Sequence, residues 1–298
     1  MMYHEPVLLQ ESVEGLNINP KGIYIDATFG GGGHSREILK KLTTGKLFAF
    51  DQDEEATKNA IDDNRFILIN QNFRDLTTFM KLQNAIPVDG LLADLGVSSH
   101  QFDSSERGFS IRFDSELDMR MSKDTRLTAK KIIKTYSAKE LKAIFSQYGE
   151  VKNATTLSGL IVKARKDKKI NTVNEFKEAI YSCVPKGKQN KYYAQVFQAL
   201  RIEVNDELHA LKDLLSQCEE LIKSEGRLAV ISYHSLEDRL VKKFIKTGKF
   251  EGEVKKDFYG KPIVSFRAVD RKPIRPSNKE IARNNRARSA KLRIAEKL

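Results

Sequence analysis

Asp26, Asp51, Asp94 and His234 each stand at the end of an apolar run, and a second histidine, His34, directly follows four consecutive glycines at 30–33. Residues 23–25 (Ile-Tyr-Ile) lead into Asp26, and the apolar segment from Ile38 predicts a helix beyond the glycines. Strand, glycine turn and helix make the first unit of a nucleotide-binding α/β fold. Missing Cβ atoms there let a ligand lie against the backbone and the helix N-terminus. Residues 45–50 (Gly-Lys-Leu-Phe-Ala-Phe) predict a second strand, and Asp51 at its end lies 21 residues after Gly30. A carboxylate about 20 residues after such a turn is placed to hold ribose hydroxyls. The pattern predicts an adenosine-containing cofactor.

The glycines do not make a dinucleotide fingerprint, because Ser35 stands where G-x-G-x-x-G from Gly30 requires a third glycine. No G-x-x-x-x-G-K-[ST] occurs either, which argues against a P-loop. An acid just before the turn, here Asp26, resembles the S-adenosylmethionine-dependent methyltransferases, in which acid and turn hold the amino-acid end of the cofactor. An NAD-dependent or nucleotide-sugar oxidoreductase is the nearest enzymatic rival, weakened by Ser35 and by the basic end of the chain.

These residues need a sheet to position them. Residues 88–94 (Val-Asp-Gly-Leu-Leu-Ala-Asp) predict a buried strand, and the next strand of similar character, 226–232, comes more than a hundred residues later. Regular α/β alternation returns after about 30 residues, so the interval marks an insertion. Within it, Ser137…Glu140 and Thr172…Glu175 are capping boxes that open amphipathic helices. The expected architecture is a Rossmann-like α/β methyltransferase sheet formed by 1–103 and 205–298, with a helical substrate-recognition domain, 104–204, inserted. A helix over 205–224, capped by Asn205, returns the chain to the sheet.

The chain of 298 residues carries a formal charge of +12, and eleven Lys or Arg against three acids in residues 266–298 account for +8 of it. Residues 284–293 (Asn-Asn-Arg-Ala-Arg-Ser-Ala-Lys-Leu-Arg) read either as a phosphate-contacting arm or as a solvated basic tail. The loop 107–121 mixes Arg with Phe and Met, and fits a segment ordering over RNA or a packed connector. Two cysteines, Cys183 and Cys218, exclude a disulfide framework and a cysteine-rich zinc site. No histidine pair has metal-ligand spacing, so no metal is expected. The N-terminus lacks a signal-peptide layout, and no apolar run reaches the ~18 residues of a membrane span. A cytoplasmic protein without membrane contact is expected. Ser235 is read as a helix N-cap, and His234 as structural or RNA-facing, since no G-x-S-x-G surrounds them.

Several motifs follow one another in order: 4–9 (His-Glu-Pro-Val-Leu-Leu), the turn 30–35, 94–99 (Asp-Leu-Gly-Val-Ser-Ser), 106–110 (Glu-Arg-Gly-Phe-Ser), 117–121 (Leu-Asp-Met-Arg-Met) and 148–150 (Tyr-Gly-Glu). After them come 197–202 (Phe-Gln-Ala-Leu-Arg-Ile), 234–239 (His-Ser-Leu-Glu-Asp-Arg) and 286–293 (Arg-Ala-Arg-Ser-Ala-Lys-Leu-Arg). Over about residues 4–296 the chain resembles the bacterial small-subunit rRNA cytosine-N4 methyltransferase family, known as RsmH or MraW. The resemblance implies methylation of one cytosine in the decoding region of 16S rRNA, within the small ribosomal subunit, with S-adenosylmethionine as cofactor. It implies cofactor contacts at Gly32, Gly33 and His34 in the turn, Asp51 on the ribose, Phe73 beside adenine, and Asp94 and Gln101 on the methyl-donor side. The chain departs from the family at 191–196 (Lys-Tyr-Tyr-Ala-Gln-Val), where Gln195 replaces a basic Arg. Asp94 is the candidate catalytic acceptor. From a different class, the alternative is an RNA-binding ribosome-assembly factor with a vestigial cofactor fold.

Overall fold

The computed structural model describes residues 6–98, 101–102, 107–254 and 256–298. His4, Glu5, Ser99 and Glu106 of the motifs above lie outside the described residues. The chain forms two compact units, one from the residues up to Gly96 together with Leu208–Leu298, the other from Val97–Glu207.

The first unit is built on a seven-stranded sheet. Its strands are β1 (Ile23–Asp26), β2 (Lys46–Phe50), β3 (Phe66–Ile69), β4 (Val88–Asp94), β5 (Ile222–Ser232), β6 (Phe266–Ala268) and β7 (Lys291–Lys297), in spatial order 3-2-1-4-5-7-6. Strands β1 to β5 pair in parallel, and β7 is antiparallel to both of its neighbours. Strand order reverses between β1 and β4, the position where open α/β sheets bind ligands beyond the strands' carboxyl ends. The α/β expectation holds.

Pleating divides the apolar strand residues between two faces. Ile25, Phe48, Leu91 and Leu228 point to one core with Leu76 and Met80 of α3 (Leu76–Leu82). Leu211, Leu214, Leu215 and Cys218 of α9 (Glu207–Leu221) join that core, as do Val241 and Phe244 of α10 (Ser235–Thr247). Tyr24, Leu47, Leu92 and Ala229 point the other way, against Val13 of α1 (Leu9–Gly15) and Ile38 and Leu39 of α2 (Gly33–Lys41). Both faces are covered, which is why the strands read as continuous apolar runs instead of alternating ones.

The regular elements described in the second unit are helical: α4 (Ala129–Thr135), α5 (Ala138–Gln147), α6 (Ala154–Asp167), α7 (Val173–Ile180) and α8 (Gln189–Asn205), with one isolated bridge, Glu116 to Thr172. Both expected capping boxes form, Ser137 with Glu140 and Thr172 with Glu175. Leu141, Phe145, Leu157, Ile161, Phe176 and Leu200 meet in one core.

Several local expectations need correction. The helix after the glycines starts at Gly33, not near Ile38. Asn205 is the last residue of α8, not a cap; its Nδ2 donates to the Met119 and Arg201 carbonyls, and its Oδ1 accepts the Met121 amide at 2.7 Å. The break comes from Asp206, left-handed at φ 50°, a conformation aspartate tolerates better than most residues. The N-cap of α10 is His234, whose Nδ1 accepts the Glu237 amide at 3.4 Å while the Glu237 carboxylate accepts the Tyr233 and His234 amides.

The loop 107–121 is a packed connector. Phe109, Leu117, Met119 and Met121 are buried in the helical core, and Arg120 holds Asp118 through two nitrogens. The basic segment 266–298 is no free tail either, since β6 and β7 complete the sheet. Asp238 takes Lys291 Nζ at 3.0 Å and Arg293 Nε at 2.7 Å, and Glu296 takes Arg227 and Arg267 at 2.7 Å each. Removing one partner of a buried pair strands the other charge. Asp238→Ala is therefore expected to lower stability by about 2–4 kcal/mol, read from the urea midpoint, because Arg293 is nearly buried and loses its carboxylate.

Candidate functional site

The site is built where β1, β2 and β4 end, and each strand ends on an acid: Asp26 closes β1, Asp51 directly follows β2, and Asp94 closes β4. The turn between β1 and α2 is tied down from both sides. Asp26 Oδ1 accepts the Thr28 amide at 3.1 Å, and its Oδ2 accepts the Ser35 hydroxyl at 2.6 Å. Ser35, which spoils the dinucleotide fingerprint, is the residue that satisfies Asp26. Asp51 Oδ2 accepts the Gly30 amide at 2.7 Å and Oδ1 the Asp53 amide at 2.8 Å, so the acid after β2 also fixes the start of the glycine turn.

Three of the four glycines have different reasons. Gly32 is left-handed at φ 74°, and a Cβ there would sit 2.8 Å from the Phe29 ring. Gly33, opening α2, is pressed by the Pro6 ring. Local packing explains both. Gly31 faces nothing within 4 Å, and it is the exposed stretch of backbone where a ligand can approach closely. The sequence signal was the length of the glycine run, which did not say which glycine is uncovered.

Asp94 is held by partners distant in sequence. Its amide donates to Thr28 Oγ1 at 2.6 Å, and its Oδ1 accepts the Tyr233 hydroxyl at 2.8 Å. Its Oδ2 lies 4.0 Å from His34 Nδ1. That contact is not an ion pair, because burial drives the His34 imidazole down to about 4 and leaves it neutral near pH 7. His34 Nε2 lies 3.2 Å from the Val7 carbonyl oxygen, which requires the proton on Nε2 and turns the Nδ1 lone pair towards Asp94. Tyr233 and Thr28 escaped the sequence reading; Tyr233 lies 139 positions from Asp94, and no local pattern ties the two.

The acids strain against one another electrostatically. Burial lifts Asp26 and Asp51 to about 6 each, and the charges of Asp53 and then Asp26 add to the effect on Asp51. Asp94 is pushed up to about 7 by burial and by the charges of Asp26 and Glu237, although 23% of its side chain still meets solvent. The Tyr233 hydroxyl acts in the opposite direction, favouring the carboxylate. Tyr233→Phe keeps the ring and removes the donor. It is expected to raise the Asp94 pKa by about one unit above the wild-type value in a carboxyl-resolved NMR titration, with the fold intact.

An exposed glycine backbone bordered by three acids with raised pKa values fits a ligand carrying both hydroxyls and positive charge. S-adenosylmethionine has a ribose diol, an ammonium and a sulfonium, so these carboxylate acceptors match its hydrogen-bond donors and its positive charge. Phe73 opens a short 3₁₀ turn just past β3, half-buried, with its carbonyl accepting Gln217 Nε2 at 3.2 Å. It thus stands beyond the strand next to Asp51. Gln101 belongs to the second unit, buried, with Oε1 accepting the Ser98 amide and its own amide donating to Ser98 Oγ, both at 3.1 Å. Gln195 donates from Nε2 to the Glu150 carbonyl at 3.4 Å.

A model of the MraW methylase family matches residues 1–298. The ribosomal RNA small subunit methyltransferase H of Cytophaga hutchinsonii is 59% identical over 298 residues, 99% of this chain and 100% of that protein. Its counterpart from Flavobacterium johnsoniae is 56% identical over 299 residues, 100% of this chain and 99% of that protein. Among solved structures, an rRNA methylase from Streptococcus thermophilus aligns with 100% of this chain and 99% of its own at 15% identity and a TM-score of 0.42, a loose likeness. Among the described residues no helix is long and apolar enough to cross a membrane.

Proposed function

The chain belongs to the MraW methylase family, and on that premise we propose that it transfers the methyl group of S-adenosylmethionine to the exocyclic N4 of one cytosine in the decoding region of 16S rRNA. The observation that carries the proposal is the set of three acids ending adjacent parallel strands around the exposed backbone of Gly31. When bound, S-adenosylmethionine supplies an electrophilic methyl group on a sulfonium. Asp51 would hold the ribose diol, the backbone at 31–33 and His34 the flank of the cofactor, Phe73 the adenine side, and Asp94 the methyl-donor side.

The amine of cytosine is a weak nucleophile because its lone pair is delocalised into the ring. Asp94 is the acceptor in this reading: its carboxylate takes a hydrogen bond from the amine, draws the lone pair out and receives the proton as the N–C bond forms. Tyr233 positions that carboxylate through Oδ1 and leaves Oδ2 for the amine. Transfer to carbon 5 would instead require a cysteine nucleophile to attack carbon 6. Cys218 is fully buried in α9, its thiol pushed far up by burial, and Cys183 lies in the 3₁₀ turn after α7, its Sγ against the Ile180 carbonyl and the Tyr192 hydroxyl. Neither stands at a strand end, which supports nitrogen as the target. The unit Val97–Glu207 is the substrate-recognition part in this reading.

The test is transfer of labelled methyl from S-adenosylmethionine to small ribosomal subunits lacking their native methylation, with free 16S rRNA in parallel. Label on RNA is expected, with the subunit the better substrate. Cofactor binding without label on either form contradicts the substrate, and absence of cofactor binding favours the vestigial assembly factor.

A further inference from the structure

The segment between α10 and β6 carries two large aromatic side chains that the fold does not use. Lys256 and Pro262 pair across a narrow hairpin, and the turn between them is Asp257-Phe258-Tyr259-Gly260. Phe258 is 97% exposed and Tyr259 84% exposed. Their rings meet edge to face with centroids 5.5 Å apart, so each keeps an open face.

The turn does not need either ring. Asp257 donates its amide to the Lys261 carbonyl at 2.8 Å and accepts the Gly260 amide at 3.0 Å. Its carboxylate accepts the Tyr259 and Lys261 amides at 2.9 and 2.8 Å. Gly260 takes the left-handed φ of 79° that closes the turn. The backbone thus holds the tip by itself, and the aromatic residues are presented to solvent, not packed.

The segment leading into the turn is basic in sequence. Residues 242–261 hold seven lysines against three acids. Two of those acids are engaged, Glu251 with Lys212 at 3.1 Å and Asp257 within the turn. Two exposed aromatic faces on a preformed turn flanked by Lys256 and Lys261 match the chemistry of unpaired nucleotides, whose bases stack on aromatic rings while phosphates meet ammonium groups. We infer that the turn at 257–260 is an RNA-docking tip, on which Phe258 and Tyr259 stack unpaired bases of the RNA substrate. The inference rests on the rRNA reading above and adds a contact remote from the methyl-transfer residues in sequence.

The test compares wild type with the double variant Phe258→Ala/Tyr259→Ala, measuring affinity for small ribosomal subunits, KM and kcat for methyl transfer, and affinity for S-adenosylmethionine. Loss of base stacking is expected to weaken subunit binding by about tenfold or more and to raise KM in proportion, with kcat and cofactor affinity unchanged. The chain has no tryptophan, so Phe258→Trp supplies a single reporter, whose emission is expected to fall on addition of subunits. Wild-type subunit affinity in the double variant overturns the inference. So does an indole in Phe258→Trp that responds to anionic lipid vesicles and not to subunits. If wild type binds subunits but transfers no methyl, the methyltransferase reading fails, and the affinity comparison still decides the docking tip.

Discussion

Asp94→Asn is expected to lower kcat by about a hundred- to a thousandfold, the range for losing a positioned acid–base group, with affinity for S-adenosylmethionine changed only a fewfold. Asparagine occupies the same space and still accepts a hydrogen bond from the Tyr233 hydroxyl through its carbonyl, so the strand end keeps its geometry. What it loses is the ability to take a proton from the amine. The pH profile gives a second, sharper expectation. Asp94 is pushed up to about 7 in the cofactor-free protein, and only its carboxylate form accepts, so kcat/KM rises with pH to about 7 and then levels. A cation bound beside it stabilises the carboxylate, which moves the limb seen in kcat to lower pH. In Asp94→Asn both limbs disappear. Full turnover in this variant with normal cofactor affinity contradicts the assignment of Asp94 as acceptor.

Asp51→Asn is expected to weaken S-adenosylmethionine binding by about ten- to a hundredfold, the worth of hydrogen bonds to a charged group, as measured by calorimetry. The sign of the pH effect is fixed by the direction of the shifts. Asp26, Asp51 and Asp94 all have folded values above the ordinary carboxylate value near 4, at about 6, 6 and 7. The folded, cofactor-free protein therefore holds more protons than the unfolded chain between about pH 4 and 7. The stability these groups contribute is fully present below the unfolded value and is lost as pH rises through 6 to 7. A positively charged cofactor reverses the balance: its affinity is expected to climb over pH 5–7 with release of protons, visible as a buffer-dependent binding enthalpy. Asp51→Asn flattens that climb. A pH-independent affinity with no proton release contradicts the acid cluster as the cofactor site.

What could be read from the sequence was what local chemistry determines. The run 23–33 declares strand, turn and helix because its β-branched residues, its acid and its glycines each act within a few positions. The capping boxes at Ser137 and Thr172 are legible for the same reason, since side chain and backbone partner lie three residues apart. The failures are cases where a partner lies far off or where backbone conformation decides. Asn205 has the composition of a cap, yet the helix break is made by the left-handed Asp206. Ser235 is the better capping residue by type, but the ring nitrogen of His234 takes the role and Glu237 completes the box. The basic end reads as an arm because composition does not show that Asp238 and Glu296 neutralise part of it within the sheet. Among the glycines, only the packing of Phe29 and Pro6 separates Gly32 and Gly33 from the uncovered Gly31.

The identity of the methylated nucleoside reports most directly on the reaction. Small subunits lacking native methylation would be incubated with the protein and labelled S-adenosylmethionine, the RNA digested to nucleosides, and the labelled product identified by mass spectrometry against synthetic standards. The expected product is N4-methylcytidine, reduced about a hundred- to a thousandfold when Asp94→Asn replaces the wild type for the same interval. Label on 5-methylcytidine, on a ribose hydroxyl or on another base contradicts it.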